Sequence, residues 1–207
     1  MEVLMKLRYK GCLKTPMDLP ISNVPVNSKK FKEPSSTLAV NIVMILYLIP
    51  VLIIIRGVTS LVLSFNNEID IKFSMAGFYL ALLISVPHEI LHAICFPRKA
   101  EVYCYIIPKS FMLAVTCIEP ITKLNYIWMN LCPNLFLGWV PLIVWCFIPN
   151  IPNISNILFS YTIISICMGC GDYMNIVNAC IQMPKNSYQQ LSGFNSYWFL
   201  KNDKQTN

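Results

Sequence analysis

The chain has 207 residues, 56% of them hydrophobic and only 13% charged, which excludes an ordinary soluble domain and is the composition of an integral membrane protein. Its net charge of +6 does not point to nucleic acid, because seven of the sixteen basic residues (Lys6, Arg8, Lys10, Lys14, Lys29, Lys30 and Lys32) precede the first apolar run, as in a cytoplasmic tail beside anionic lipid. The nine cysteines are scattered and lie mostly within apolar stretches, so they read as small buried hydrophobes and not as a disulfide framework.

In chain order, residues 1–36 are polar, basic and proline-dotted. They read as a retained tail and not as a cleaved signal peptide, with 15–36 an irregular lead-in. Four apolar runs follow, at roughly 38–63, 74–96, 131–149 and 156–181. Each is near the ~20 residues that cross ~30 Å of hydrocarbon as helix. Pro50 and Arg56 in the first run predict a kink or an early end to its lipid-buried part. Between the second and third runs, 100–118 is rich in Val, Ile, Tyr, Phe and Thr around Pro108-Lys109-Ser110 and predicts a β-hairpin. Its open edges cannot be satisfied by lipid, so it must lie against protein or line a wet cavity.

The expected fold is therefore an all-α polytopic membrane protein with about four transmembrane helices and one short β-hairpin between the second and third. A cytoplasmic tail covers 1–36, the membrane domain 37–195 and a second cytoplasmic tail 196–207. The basic tail, Glu68 and Asp70 in the first connection, and Arg98 and Lys99 after the second run place both termini in the cytoplasm of a cell-membrane protein. The tryptophans and many tyrosines suit an interfacial belt.

The second run ends on Pro87-His88-Glu89-Ile90-Leu91-His92, which holds both histidines of the chain. On a helix, His88 and His92 project from one face and can bind a single metal ion. Glu89 stands about 60° around the helix from His92, beside the metal without binding it, where a general base belongs. Three polar residues within five positions of a membrane helix cost several kcal/mol unless paired or wet. A catalytic zinc takes three protein ligands and keeps one position open. Asp172 is the only acidic residue in the apolar runs besides Glu89, and its depth, about 14 Å from its helix end against about 12 Å for His88, matches. Gly169 and Gly171 permit close helix packing there; pairing of Asp172 with Arg56 is the alternative.

Asn175, on the same face as Asp172, either orients that carboxylate or bonds a neighbouring helix. Cys167 and Cys170 form a C-x-x-C that reads mainly as packing. Glu119 belongs to a substrate rim or simply to the membrane surface beside Lys123. The functional expectation is an intramembrane zinc (Zn2+) metallopeptidase acting on membrane-associated proteins or peptides near the cytoplasmic leaflet, with His88, His92 and Asp172 as metal ligands and Glu89 as catalytic base. Two other classes stay open: a non-catalytic metal-binding protein whose fourth ligand is a side chain such as Cys170, and a proton-coupled transporter using Glu89 and Asp172 as relays.

The stretches "PHEILHAICFPRK", "EPITK" and "GCGDYMNIVNACIQMPKNS" ending toward "GF" resemble a family of small bacterial multi-pass proteins classed as putative zincin peptidases. The resemblance runs from about residue 75 to 195. That family in turn looks like a compact relative of the site-2 proteases, intramembrane zinc enzymes. The resemblance implies His88 and His92 as ligands, Glu89 as base and Asp172 as third ligand.

Overall fold

The computed structural model describes residues 6–15, 18–34, 36–65, 71–97, 100–108, 112–148 and 151–200. Glu68, Asp70, Arg98, Lys99 and the hairpin tip at Lys109 and Ser110, used above for orientation and turn, lie outside them.

The elements run β1 (Lys6–Cys12), β2 (Lys29–Lys30), α1 (Thr37–Phe65), α2 (Met75–Cys95), β3 (Glu101–Ile107), β4 (Met112–Cys117), β5 (Ile121–Thr122) and α3 (Lys123–Asn134). A π-helical turn, Leu135–Trp139, joins α3 to α4 (Val140–Phe147), and α5 (Pro152–Met168), α6 (Cys170–Gln182), β6 (Ser187–Ser192) and β7 (Asn195–Leu200) complete the chain. The expectation of an all-α chain is overturned, because seven strands form two sheets among the described residues. The 100–118 hairpin is present as β3 and β4, antiparallel with Val102 opposite Cys117. It is not alone: β1, from the tail, pairs parallel with β3. A second sheet of order β2-β7-β6-β5 forms from segments read as lead-in, connection and tail.

Two compact units result. One comprises residues 34–88 and 131–174 and holds α1, α4, α5 and the adjoining parts of α2, α3 and α6. In it α1 is largely apolar around its circumference, with Val40, Val51 and Ile55 buried on one face while Ile45, Ile53 and Leu61 stay exposed. That is the distribution of a helix facing protein on one side and hydrocarbon on the others. Three helices, Leu38–Phe65, Met75–Cys95 and Lys123–Phe147, are long and apolar enough to cross a membrane. Asn153–Met168 with Cys170–Gln182, bent by 46°, makes a fourth if the pair is one span. Helix contacts are close at small residues: Gly77 of α2 lies against the Ile157 carbonyl and Ser160 of α5, where a Cβ would collide. The core holds Val51, Ile55, Leu142, Trp145 and Ile166. Trp145 is buried and donates its indole N–H to Ser155 Oγ at 3.0 Å, and Trp139 donates to Tyr173 Oη at 3.2 Å.

The other unit comprises 1–33, 89–130 and 175–207 and holds both sheets. Phe31, Ala93, Phe96, Val102, Cys117, Ile121 and Tyr126 make its core with Ala179 and Met183. Lys123 Nζ donates to the Met183 carbonyl at 2.6 Å, just past the end of α6, where unpaired helix carbonyls favour a cation.

Candidate metal centre

His88 and His92 stand one turn apart on α2, and Asp172 in the first turn of α6. His88 Nε2 lies 3.1 Å from Asp172 Oδ2, and one ligand atom from each of His88, His92 and Asp172 falls within 4.8 Å of the others. Two ligand atoms at ~2.0–2.2 Å from a tetrahedral zinc are about 3.4 Å apart, close to the 3.1 Å between His88 and Asp172, and two imidazoles with a carboxylate are a donor set that could hold such an ion.

The orientation of each ligand has a cause in the chain. Pro133, inside α3, has no N–H to donate to the carbonyl four residues earlier, that of Met129. His92 Nδ1 lies 2.9 Å from that carbonyl oxygen. A carbonyl only accepts, so Nδ1 carries the proton and Nε2 presents its lone pair. Such a bond fixes both tautomer and ring angle of a metal-binding histidine.

Asp172 Oδ2 accepts from Asn134 Nδ2 at 2.6 Å. Asn134 is 1% exposed and occupies the space where a Cβ at Gly169 would sit. The glycine between α5 and α6 thus admits the asparagine that holds the carboxylate. A carboxylate in the first turn of α6 is also favoured by the helix dipole. Just after Asn134, the π-turn displaces the ladder, and the Leu137 carbonyl is taken up by Tyr161 Oη at 2.7 Å and Ser165 Oγ at 2.9 Å. Such turns inside α-helices recur at functional sites.

Glu89 is half-buried. It shares the α2 stripe of Ala93 and Phe96, which pack with Val102 of β3 and Cys117 of β4. The Cys104 thiol is pushed up by burial, and further by the charge of Glu89 nearby.

The remaining polar candidates sit elsewhere. Asn175 Nδ2 donates to Asn130 Oδ1 at 2.8 Å, the neighbouring-helix alternative. Glu119 Oε1 accepts the Glu101 N–H at 3.3 Å at the start of β3. Arg56 is exposed on α1. Cys167 and Cys170 are free thiols, and among the described residues neither belongs to the cluster of metal-donor atoms. Asn134 was missed by sequence reasoning, as was the effect of Pro133 on the Met129 carbonyl. The available signal was an asparagine beside a proline at the start of an apolar run.

A family model described as "putative zincin peptidase" matches residues 80–188, more than half of the 207. No curated protein and no solved structure matches the chain.

Proposed function

The chain belongs to the family described as putative zincin peptidases, and on that footing we propose that it is a membrane-embedded zinc metallopeptidase that hydrolyses peptide bonds of membrane-associated proteins or peptides. The observation that carries this reading is the convergence of His88, His92 and Asp172, two imidazoles and a carboxylate, with a glutamate next to the first histidine. Zinc held by these three residues would supply Lewis acidity to a bound water and to the scissile carbonyl.

Glu89 Oε takes the proton of the attacking water and then delivers it to the nitrogen of the leaving amine. Asn134 keeps Asp172 aimed, and the Met129 carbonyl keeps His92 Nε2 aimed. The cluster comprises three donors, His88, His92 and Asp172, the number that a catalytic zinc takes while keeping its fourth position open. In this reading β4, an edge strand of its sheet, pairs with an extended substrate segment. The spans lie in the cell membrane with both termini cytoplasmic and the site opening toward the cytoplasmic leaflet.

The test is cleavage of a fluorogenic library of apolar peptides by detergent-purified wild type and by Glu89→Gln. Cleavage by wild type that Glu89→Gln abolishes supports the reading, whereas full cleavage by Glu89→Gln removes Glu89 as the base.

A further inference from the structure

The sheet β1-β3-β4 has two chemically different faces. Register puts Arg8 opposite Tyr103, with Arg8 bridged to Glu101 at 3.3 Å, on one of them. The other face is apolar. At one end Val102 and Cys117, directly opposite each other, are buried with Ala93 of α2 and Phe96 just past its end. The next pair, Cys104 and Val115, is only half-buried. On the neighbouring strand Leu7, level with Val102, and Tyr9, level with Cys104, are 44% and 61% exposed, and Ile106, beyond Cys104, is 40% exposed. Glu89 shares the stripe of Ala93 and Phe96, and its charge acts on Cys104, so Glu89 stands on the side of this face where the burial of Val102 and Cys117 gives way.

We propose that this apolar face, from Cys104 and Val115 out to Ile106 and Tyr9, is the substrate-recognition surface. It takes a bulky aliphatic or aromatic side chain from an extended apolar peptide segment next to the scissile bond. The proposal rests on the peptidase reading and deepens it. A peptide bond within reach of Glu89 has its flanking side chains ~7 Å apart on each face of an extended chain, so in a peptide paired with β4 one of them lies on this face beside Val115, whose cross-strand neighbour is Cys104. A charged side chain there loses hydration without gaining a partner, while an apolar one covers surface that is otherwise left open. A peptide added to the edge of β4 directs every second side chain to this face. A lipid chain is apolar too, but nothing in hydrocarbon has to approach Glu89.

The experiment uses the full chain carrying Glu89→Gln, so that nothing is hydrolysed. Maleimide modification of Cys104 is followed by peptide mass spectrometry with an apolar decapeptide centred on Leu-Phe, or with the same peptide centred on Asp-Ser. The apolar peptide is expected to slow Cys104 modification several-fold and the polar one to leave it unchanged. Equal rates with both, or equal protection by phosphatidylcholine vesicles without peptide, overturn the proposal. In the catalytic chain, Ile106→Lys is expected to shift cleavage preference from apolar toward acidic residues at unchanged zinc content, and an unchanged preference overturns the proposal. Protection of Cys104 without any cleavage by wild type would reject the peptidase reading and leave the peptide-binding surface standing.

Discussion

His92 donates its Nδ1 proton to the backbone carbonyl of Met129 across 2.9 Å, and that carbonyl is free to accept it because Pro133 stands four residues on in the same helix. The proline therefore acts on the His92 ring without touching it. Pro133→Ala restores an N–H that competes for the carbonyl. Its zinc affinity, measured by chelator competition, should fall about 10–100-fold, as for loss of other partners of metal-bound histidines, with thermal stability held or raised. Unchanged affinity would show that the bond to Met129 does not orient His92.

Asn134 and Gly169 form a second device of this kind. Asn134→Ala removes the donor to Asp172, and Gly169→Ala drives a methyl group into the asparagine amide. Both should weaken zinc binding about 10–100-fold. The contrary result is wild-type affinity in a folded Gly169→Ala chain, which would detach the glycine from the site.

Glu33 lies just before α1. Burial raises its pKa above the usual carboxylate range, against the opposing charge of Lys30 and a hydrogen bond from Asn178. A raised carboxyl pKa means that the folded state holds the proton more tightly than the unfolded one. The contribution of Glu33 to stability is thus fully present at acid pH and is lost as pH rises through its folded pKa. Melting temperatures of Glu33→Gln and wild type should converge at low pH, with the variant increasingly the more stable toward neutrality. A difference independent of pH would rule out this ionisation as its source.

The proposed topology makes a further prediction. Cys12 is exposed on β1 and Phe73 is 66% exposed between α1 and α2. In intact cells a membrane-impermeant maleimide should reach a cysteine introduced as Phe73→Cys, and should reach Cys12 only after permeabilisation, each read by mass spectrometry. Modification of Cys12 in intact cells would reverse the orientation.

The helices α1 and α2 were legible because unbroken apolar length is a local property. The third span was not legible at its start, where "KLNYIWMN" opens on a polar turn and the helix nevertheless begins at Lys123. The bend in the fourth run depends on Asn134 filling the space at Gly169, a contact 35 positions apart in sequence. Strand β1 shows a period-2 pattern in "KLRYKGC", but it becomes a strand only by pairing with β3, some ninety residues later. In "SYQQLSGFNSYWFL" the turn glycine Gly193, at φ 60°, was readable. The buried polar residues Gln189 and Gln190 of β6 hid the strand around it. At the site, His88, Glu89 and His92 announce themselves by spacing, and Asp172 by being a solitary acid among apolar residues. Asn134 does not, because a lone asparagine in a membrane run reads equally well as a helix-to-helix hydrogen bond.

The central claim is that His88, His92 and Asp172 hold one zinc ion while Glu89 does not. The direct test is metal content per chain by elemental mass spectrometry, after one chelator wash and controlled reloading, for wild type, His88→Ala, Glu89→Ala and Asp172→Ala in detergent. The account predicts about one zinc per chain in wild type and Glu89→Ala, and its loss in the other two. No zinc in reloaded wild type, or full zinc in Asp172→Ala, would contradict it.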